Sequence, residues 1–249
     1  MKRVTFRQLR VFTEVARQLS FSRAAESLHL TPPAVTMQVK ELENYVGLPL
    51  FERQGRQISL TMAGEYFLVH GGASGIGTTA VQLASAFGAH VLATAGTTEK
   101  CAAVAKLGAA RAINYRTEDF VAAAKEFTGG NGVDLILDMV GGDYFAKGLD
   151  ALKTGGRIVY IAAQGGGEVA LPIFRLMQKR AVVTGSTLRP RDADEKARLT
   201  AAVEATVWPW IAAGKLKPVI DRTYPLAEAA KAHAALEAGE VVGKVILTL

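Results

Sequence analysis

The sequence has little cysteine and no long apolar run. Cys101 is the only cysteine among 249 residues, so neither a disulfide framework nor a thiolate zinc site can be built. No run of about eighteen or more apolar residues occurs, and the start of the chain lacks an apolar signal core. Hydrophobic residues make up 49% of the chain against 21% charged, which excludes wholesale disorder. We therefore expect a cytoplasmic globular protein without a metal site or a membrane partner.

Charge and glycine are unevenly distributed along the chain. The formal charge is +6, of which residues 1–64 contribute +4 from nine basic and five acidic side chains. Residues 65–249 contribute +2 from twenty basic and eighteen acidic side chains. Glycine shows the opposite bias, with three residues up to position 64 and twenty-two after it. This shift predicts two domains of different architecture, and the basic excess of the first indicates a polyanionic partner.

The first part is predicted to form three short helices and a hairpin. The predicted inward face of the first helix, within residues 6–19, consists of Leu9, Phe12, Ala16 and Leu19. The second helix begins after Ser20, and the third begins after Thr31 and ends at Gly47. The predicted core positions of the third helix are Val35, Val39, Leu42 and Val46. Residues 49–53 and 57–60 flank a turn, so the whole arrangement predicts a winged helix-turn-helix.

The motifs at residues 6–12, 20–30, 31–43 and 47–53 closely resemble the DNA-binding domain of LysR-type transcriptional regulators. The resemblance is continuous from residue 5 to about 64 and implies binding to double-stranded DNA. The contacts that it implies are Ser22 and Arg23 on the second helix, Thr31, Pro33, Thr36, Met37 and Lys40 at the recognition helix, and Arg53 and Arg56 on the wing. Pro32 departs from the family, which commonly has Gln there, and proline cannot read adenine bidentately.

From residue 66 onwards, short apolar runs alternate with amphipathic segments. The predicted strands are 66–70, 90–94, 111–114, 133–138, 156–161 and 181–185. The predicted helices lie near 76–87, 98–107, 118–127, 143–151 and 172–179. Further on we expect a helix to about 213, a strand near 217–222, a helix near 226–238 and a strand at 244–249. The alternation is typical of an α/β fold with a doubly wound parallel sheet of the Rossmann type.

A glycine loop follows the first of these strands. Residues 71–77 lie between a strand and a helix, in the order that cradles a pyrophosphate, although Ser74 interrupts the strict glycine pattern. The second strand ends at Gly96 without the acid that binds the ribose of NAD, and Lys100 follows on the next helix. This combination favours NADP(H). The alternatives are a plain tight turn and a solvated lysine.

Segments 68–77, 93–96, 106–109, 112–116, 132–142, 155–159 and 243–247 resemble the zeta-crystallin-like NADPH:quinone oxidoreductases of the medium-chain dehydrogenase/reductase superfamily. The likeness covers residues 65–249 without a gap. The cofactor contacts that it implies are Ala73, Ser74, Gly75, Ile76, Gly77, Gly96, Lys100, Tyr115, Gly142, Ile161, Ala162, Ala163 and Gln164, the last four beside the nicotinamide. Hydride would pass directly from the nicotinamide to a quinone. No catalytic residue is assigned, and Cys101 is expected to be a buried, inert thiol.

The resemblance also implies a GroES-like substrate domain before the first Rossmann strand, where this chain has the helix-turn-helix. We therefore expect a winged helix-turn-helix at 1–64 and an NADP-binding Rossmann domain at 65–190. The C-terminal helices and returning strands of the oxidoreductase follow at 191–249, and the substrate domain is largely missing.

Three hypotheses about function stay open. The leading one is a LysR-type DNA-binding regulator fragment fused to an NADP(H)-binding domain. The second is an NADPH-dependent quinone oxidoreductase, with weak activity or none because the substrate domain is lost. The third is a fusion without function. The expected partners are double-stranded DNA, a quinone in the second hypothesis, and a second copy of the chain in a homodimer.

Overall fold

The computed structural model describes residues 5–46, 50–54, 57–60 and 64–249. Over these residues the chain divides into two compact units, up to residue 64 and from residue 65. The first unit contains α1 (Phe6–Gln18), α2 (Phe21–Leu28), α3 (Pro32–Val46) and the antiparallel pair β1 (Phe51–Gln54) and β2 (Gln57–Leu60). The described elements are the helices and the hairpin that the sequence predicts.

Side-chain caps begin the helices of the first unit. Thr5 and Gln8 form a reciprocal capping box on α1, and the Ser20 hydroxyl accepts the backbone N–H of Arg23 on α2. The Glu43 carboxylate accepts the N–H of Leu50 at 2.9 Å and thereby ties α3 to the start of the hairpin. The buried core consists of Val11, Val15, Ala24, Ala25, Val35, Val39, Leu42, Leu50 and Phe51.

The predicted inward face of the first helix is wrong in part. Val11 and Val15 are buried, whereas Leu9 is 46% and Leu19 is 48% exposed. Phe12 and Ala16 lie beside the core and are partly buried. Leu19 is the C-cap of α1 in the left-handed conformation, which turns it away from the helical repeat. For α3 the structure confirms Val35, Val39 and Leu42 as core, while the side chain of Val46 lies outside the described residues.

The second unit is built on a parallel sheet. Its strands are β3 (Tyr66–Val69), β4 (His90–Ala95), β5 (Arg111–Asn114), β6 (Val133–Asp138), β7 (Leu152–Tyr160) and β8 (Val182–Gly185). The connecting helices are α4 (Gly75–Ala86), α5 (Thr98–Lys106), α6 (Phe120–Phe127), α7 (Tyr144–Ala151) and α8 (Ile173–Lys179). The strand order is β5-β4-β3-β6-β7-β8, and every pair is parallel. This order is that of the doubly wound Rossmann fold.

The sheet buries its apolar residues under the helices on its faces. The main core cluster includes Leu68, Leu92, Ile113, Ile136, Leu149, Leu152 and Ile158. The predicted strands and helices agree with the structure to within a few residues, except that β7 begins at Leu152 rather than at 156. Leu152 pairs with Val133 and Arg157 with Leu135, so residues 153–156 bulge out of the ladder. That polar, glycine-containing bulge resembles a loop in sequence.

The C-terminal segment returns to the glycine loop. It contains α9 (Ala193–Ala212), β9 (Ile220–Pro225), a 3-10 turn (Leu226–Glu228), α10 (Ala229–Glu237) and β10 (Lys244–Thr248). Strands β9 and β10 pair in parallel as a separate two-stranded sheet. The Gln82 side chain on α4 donates to the Lys217 carbonyl and accepts the Lys217 N–H, each at 3.0 Å. Among the described residues, no helix is both long enough and apolar enough to span a bilayer.

A buried polar residue lies at the end of β3. His70 is fully buried, with Nδ1 3.3 Å from the Thr94 hydroxyl and with Nε2 lacking a hydrogen-bond partner among the described residues. The rings of Phe120 and Tyr144 pack against its imidazole. Burial lowers the pKa of His70 from 6.5 to about 4, although the Asp138 carboxylate acts in the opposite direction. The folded protein therefore keeps this imidazole neutral at pH 7.

We predict that His70 makes the fold sensitive to acid. The unfolded imidazole takes up a proton near pH 6.5, but the folded one does so only near pH 4. The contribution of His70 to the unfolding free energy is therefore level above pH 6.5 and declines by about 3 kcal/mol as the pH falls to 4. His70→Phe keeps an aromatic ring and cannot titrate. Between pH 7 and 4.5, the free energy of unfolding measured with urea should change less in this variant than in the unmodified protein. Parallel pH profiles of the two proteins would contradict the assignment.

Candidate functional sites

The sequence-predicted cofactor residues gather at the carboxyl edge of the sheet. The loops after β3, β4, β6 and β7 all leave the sheet at this edge. The strand order reverses between β3 and β6, because the chain crosses there from one half of the sheet to the other. Ligands of open α/β sheets bind in the crevice at such a switch point. The crevice is the candidate nucleotide site.

The backbone of the glycine loop is held by the neighbouring strand. The N–H of Gly72 donates to the Thr94 carbonyl at 2.8 Å, and the N–H of Gly71 donates to the Thr94 hydroxyl at 3.2 Å. The N–H of Ser74 returns to the Gly71 carbonyl at 2.9 Å, which closes the turn. Gly71 adopts φ +66°, a left-handed conformation that a glycine accepts without strain.

The first turn of α4 presents unpaired donors at this loop. The Ser74 hydroxyl accepts the N–H of Gly77 at 2.9 Å, but the N–H groups of Gly75 and Ile76 have no acceptor among the described residues. A Cβ atom on Gly77 would lie 2.7 Å from the Gly72 Cα, so only glycine lets the helix approach so closely. No acidic side chain occurs in this turn. Free N–H groups and the helix dipole together fit a pyrophosphate.

The end of β4 brings two predicted residues together. The Tyr115 hydroxyl lies 2.7 Å from where a Cβ of Gly96 would be, so the ring covers this glycine. The Thr97 hydroxyl caps α5 by accepting the N–H of Lys100. The Lys100 ammonium donates to the carbonyl of Gly239, beyond α10, at 2.5 Å. The structure thus places Lys100 beside the site and gives it a backbone partner that the sequence did not indicate.

One acidic residue lies close to the same turn. Glu99 is in the first turn of α5, and hydrogen bonds from its own N–H and from the Thr97 side chain lower the pKa of its carboxyl. Glu99 is the second residue of α5 and does not occupy the position directly after β4. Gly96 occupies that position, and the Tyr115 ring lies where a side chain on it would be.

The loops after β6 and β7 pack on each other. The N–H groups of Ile161, Gln164 and Gly165 donate to the carbonyls of residues 138, 139 and 140, and the N–H of Gly142 donates to the Gly166 carbonyl. Ile161 is partly buried, whereas Ala162, Ala163 and Gln164 are exposed along the crevice. A cavity of about 620 Å³ with a mainly apolar lining adjoins them; residues lining it include Phe145, Tyr160, Ile161, Ala163, Leu171 and Val183.

Sequence reasoning missed Asp138, which shapes the loop after β6. Its side chain is 1% exposed, and its Oδ1 accepts the N–H of Val140 at 2.6 Å and the N–H of Gly141 at 3.0 Å. These bonds turn the chain sharply at the carboxyl end of the strand. An aspartate at a strand end followed three residues later by glycine is a turn signal that could have indicated this role.

The single thiol of the chain, that of Cys101, lies on α5 directly after Lys100. Cys101 is half-buried rather than fully buried, and burial and the Glu118 carboxylate raise the pKa of its thiol. The protonated form of cysteine is a poor nucleophile. This supports an inert thiol.

The candidate DNA-binding surface lies on α2 and α3. Thr31, Pro33, Met37 and Lys40 are exposed in a row along the start of α3, and Ser22 and Arg23 are exposed on α2. Thr36 is partly buried, and its hydroxyl donates to the Pro32 carbonyl at 2.9 Å. The Arg23 guanidinium donates to the carbonyl of Gln18 at the end of α1. Arg56 and the side chain of Arg53 lie outside the described residues.

Two family models match different parts of the chain. Residues 6–65 match the bacterial regulatory helix-turn-helix proteins of the lysR family, and residues 107–247 match the zinc-binding dehydrogenases. Human quinone oxidoreductase is 34% identical over 207 residues, which are 82% of this chain and 61% of the human protein. The chain therefore spans less than two thirds of the length of this relative.

Solved structures show the same fold. Escherichia coli quinone oxidoreductase in complex with NADPH is 34% identical, with a TM-score of 0.68 over 77% of this chain and 59% of that one. An NAD-dependent alcohol dehydrogenase is 35% identical, with a TM-score of 0.66 over 75% of this chain and 52% of that one. No GroES-like domain occurs among the elements that the structure describes.

The described residues do not fit the zinc ion in the name of the second family. In the described part of the chain, no three His, Cys, Asp or Glu side chains come close enough to hold a metal ion. The sole cysteine, Cys101, sits on α5, with a thiol whose pKa is raised.

The zinc-binding dehydrogenase match covers more than half of the chain, and the lysR-family match covers the helices and the hairpin that precede it. The chain belongs to the zinc-binding dehydrogenase family and carries a lysR-family helix-turn-helix at its N-terminal end.

Proposed function

We propose that this chain binds double-stranded DNA through its first unit and NADP(H) through its second. The observation that carries the cofactor proposal is the glycine loop at the switch point of the sheet, where two N–H groups at the start of α4 have no acceptor. The observation that carries the DNA proposal is α3, capped by the Thr31 hydroxyl, which exposes a row of residues while α2 exposes Arg23.

The first unit has the parts that a DNA-binding helix-turn-helix needs. A buried core holds α1, α2 and α3 together, while one side of α3 remains open as a shallow groove lined by Pro32, Pro33, Thr36, Met37, Lys40, Glu41 and Asn44. The apolar side chain of Met37 is 55% exposed, which suits contact with a thymine methyl group. The guanidinium of Arg23 uses one of its five N–H donors on Gln18 and keeps the others for a phosphate.

We predict salt-dependent DNA binding to which Arg23 and Lys40 each contribute one phosphate contact. Arg23→Ala should weaken binding to all duplex sequences alike and reduce the slope of log K against log salt by about one. Lys40→Met should do the same. Fluorescence anisotropy with a labelled duplex between low and high salt measures both effects. Arg198→Ala, on the exposed α9 of the second unit, is the control of equal charge. Equal and negligible affinity of the unmodified protein for all DNA at low salt would refute the proposal.

The preference for NADP(H) over NAD(H) depends on the end of β4. The position directly after β4 carries no carboxylate, because the Tyr115 ring covers a glycine there, and Lys100 brings a cation to the same end of the crevice. The related Escherichia coli structure holds NADPH, whereas another neighbour is described as NAD-dependent. The local residues must therefore decide between the two cofactors. The Lys100 ammonium is held by a neutral carbonyl, which a 2′-phosphate would replace as a stronger, charged acceptor.

We predict that NADPH binds more tightly than NADH and that Lys100 accounts for the difference. Lys100→Ala should remove about 1 to 3 kcal/mol of the preference, the range of a charge-assisted hydrogen bond. Lys106→Ala removes the same charge from the last turn of α5, at the opposite end of the helix, and serves as the control. Fluorescence titration of both cofactors, with energy transfer to the reduced nicotinamide recorded, gives the affinities. Equal affinity of the unmodified protein for both cofactors would contradict this interpretation.

A second candidate function is quinone reduction. The apolar cavity beside Ile161 and Ala163 has space for an aromatic ring, which supports this candidate. The cavity is open to solvent in the described part of the chain, so a bound quinone would be neither oriented nor shielded from water. We expect only trace oxidation of NADPH by a small quinone. Steady-state turnover on the order of ten per second would make catalysis the main function.

We also propose a homodimer. Strand β8 is the edge of the six-stranded sheet, and Val182 and Val183 on it are 51% and 39% exposed. On the adjacent α8, Phe174 and Met177 are also exposed. An exposed apolar edge strand readily pairs with a second copy across a two-fold axis. Sedimentation velocity of the purified chain measures this association.

A further inference from the structure

The first turn of α3 offers no free backbone donor. Pro32 and Pro33 are its first two residues, and proline has no N–H group. The N–H of Ala34, the third residue, donates to the Thr31 hydroxyl at 3.4 Å. At the start of α4, by contrast, two N–H groups have no acceptor among the described residues. The start of α3 therefore lacks the donors with which a helix N-terminus binds a phosphate.

The same turn presents apolar side chains to solvent. Pro32 and Pro33 are exposed, and Met37, about one turn further along, is 55% exposed. All three line the shallow groove on α3, which has a volume of about 640 Å³ and a mainly apolar lining. Val35 and Val39 are buried in the core of the unit, so packing fixes the face that α3 turns outwards.

Two polar side chains of this groove are already hydrogen-bonded within the unit. The Thr36 hydroxyl donates to the Pro32 carbonyl at 2.9 Å, and the Glu41 carboxylate accepts a side-chain amide of α1 at 3.0 Å. Lys40 and Asn44 also line the groove and make no hydrogen bond or ion pair with the described residues. They lie about two and three turns beyond Pro32. Hydrogen-bonding groups that could read a base are therefore absent from the first turn among the described groove residues.

The chemistry of this turn matches the 5-methyl group of thymine. Thymine presents this methyl group in the major groove of duplex DNA, where apolar side chains recognise it by contact. Such contact requires no donor from the protein. Charge supports duplex DNA as the occupant of the groove, because residues 1–64 carry a net charge of +4 and the exposed Lys40 lies on the same helix.

We propose that Pro32, Pro33 and Met37 recognise thymine methyl groups in the major groove. This inference rests on the proposed binding of DNA and names the feature of the bases that the start of α3 reads. Sequence selection at this end of the helix then depends on apolar contact, whereas Arg23 and Lys40 contribute affinity through phosphates.

The test compares two forms of one duplex. The full chain first selects its preferred sequence from a random duplex library. The selected duplex is then synthesised with thymine and with uracil, which forms the same base pair and lacks only the 5-methyl group. Uracil should weaken binding by about three- to four-fold for each methyl group in contact, the value of burying one such group. Fluorescence anisotropy at one fixed salt concentration measures the ratio, because the phosphate charge is the same in both forms.

Two variants assign the effect to this surface. Met37→Gln keeps the length of the side chain and makes its end polar, and Pro32→Gln replaces an apolar ring by an amide. Each should bring the ratio of thymine to uracil affinities closer to one. Met177→Gln changes a methionine that is 66% exposed on α8 of the second unit, and this matched control should leave the ratio unchanged.

The outcomes separate this inference from the proposal of DNA binding. If the unmodified protein binds no duplex at low salt, the proposed DNA binding fails, and the reading of methyl groups fails with it. If the protein binds DNA but selects no sequence, or binds both forms of the selected duplex equally well, only the reading of methyl groups is refuted. A ratio that stays the same in Met37→Gln and Pro32→Gln, with unchanged circular dichroism, also refutes it, because the methyl groups would then act through DNA shape.

Discussion

The close approach of α4 to the glycine loop is the constraint on which the second unit depends. Any side chain on Gly77 would collide with the backbone of Gly71 and Gly72, and a side chain on Gly72 would meet the Ala93 methyl at 2.7 Å. These glycines let the helix start directly on the loop and let the loop lie directly on β4. The unpaired N–H groups of α4 consequently face the crevice at the carboxyl edge of the sheet, where an anion can reach them.

The C-terminal segment depends on the same loop. Strands β9 and β10 form a two-stranded sheet of their own, separate from the six-stranded sheet. This segment is hydrogen-bonded to the Rossmann part by the backbone of the glycine loop and by the Gln82 side chain on α4, which bonds the backbone of Lys217. Apolar side chains such as Trp208, Ile220 and Leu247 remain exposed in this segment. The loop thus holds the chain end in place although the segment has little core of its own.

The two units achieve stability in different ways. The helix-turn-helix has a core of small and medium side chains that Phe51 completes through ring contacts with Phe12 and Phe21. Its surface keeps the charge that the sequence concentrates there. The Rossmann unit buries whole strands between helices, and two of its buried polar residues, His70 and Asp138, lie beneath the loops of the crevice. In each unit the residues with functional potential lie on elements that the core holds rigid.

The sequence by itself determined the two architectures, because their signals are local. Caps, apolar periodicity and glycine spacing act within a few residues. They therefore indicated the helices, the parallel α/β sheet and the glycine loop. The resemblance of the same segments to two families indicated the candidate DNA and cofactor residues. The inward face of α1 was predicted wrongly because 3.6-residue periodicity alone allows several faces, and only packing against α2 and α3 selects Val11 and Val15.

Contacts between residues far apart in the chain were decided only by the tertiary structure. The bulge that moves the start of β7 exists because Leu152 pairs with Val133, and the partner of Lys100 is Gly239 on the far side of α10. Lys244 reaches Gly75 because the last strand bonds to the glycine loop. Such contacts depend on chain topology and on the space that glycine leaves, and neither is encoded in the local pattern of either partner.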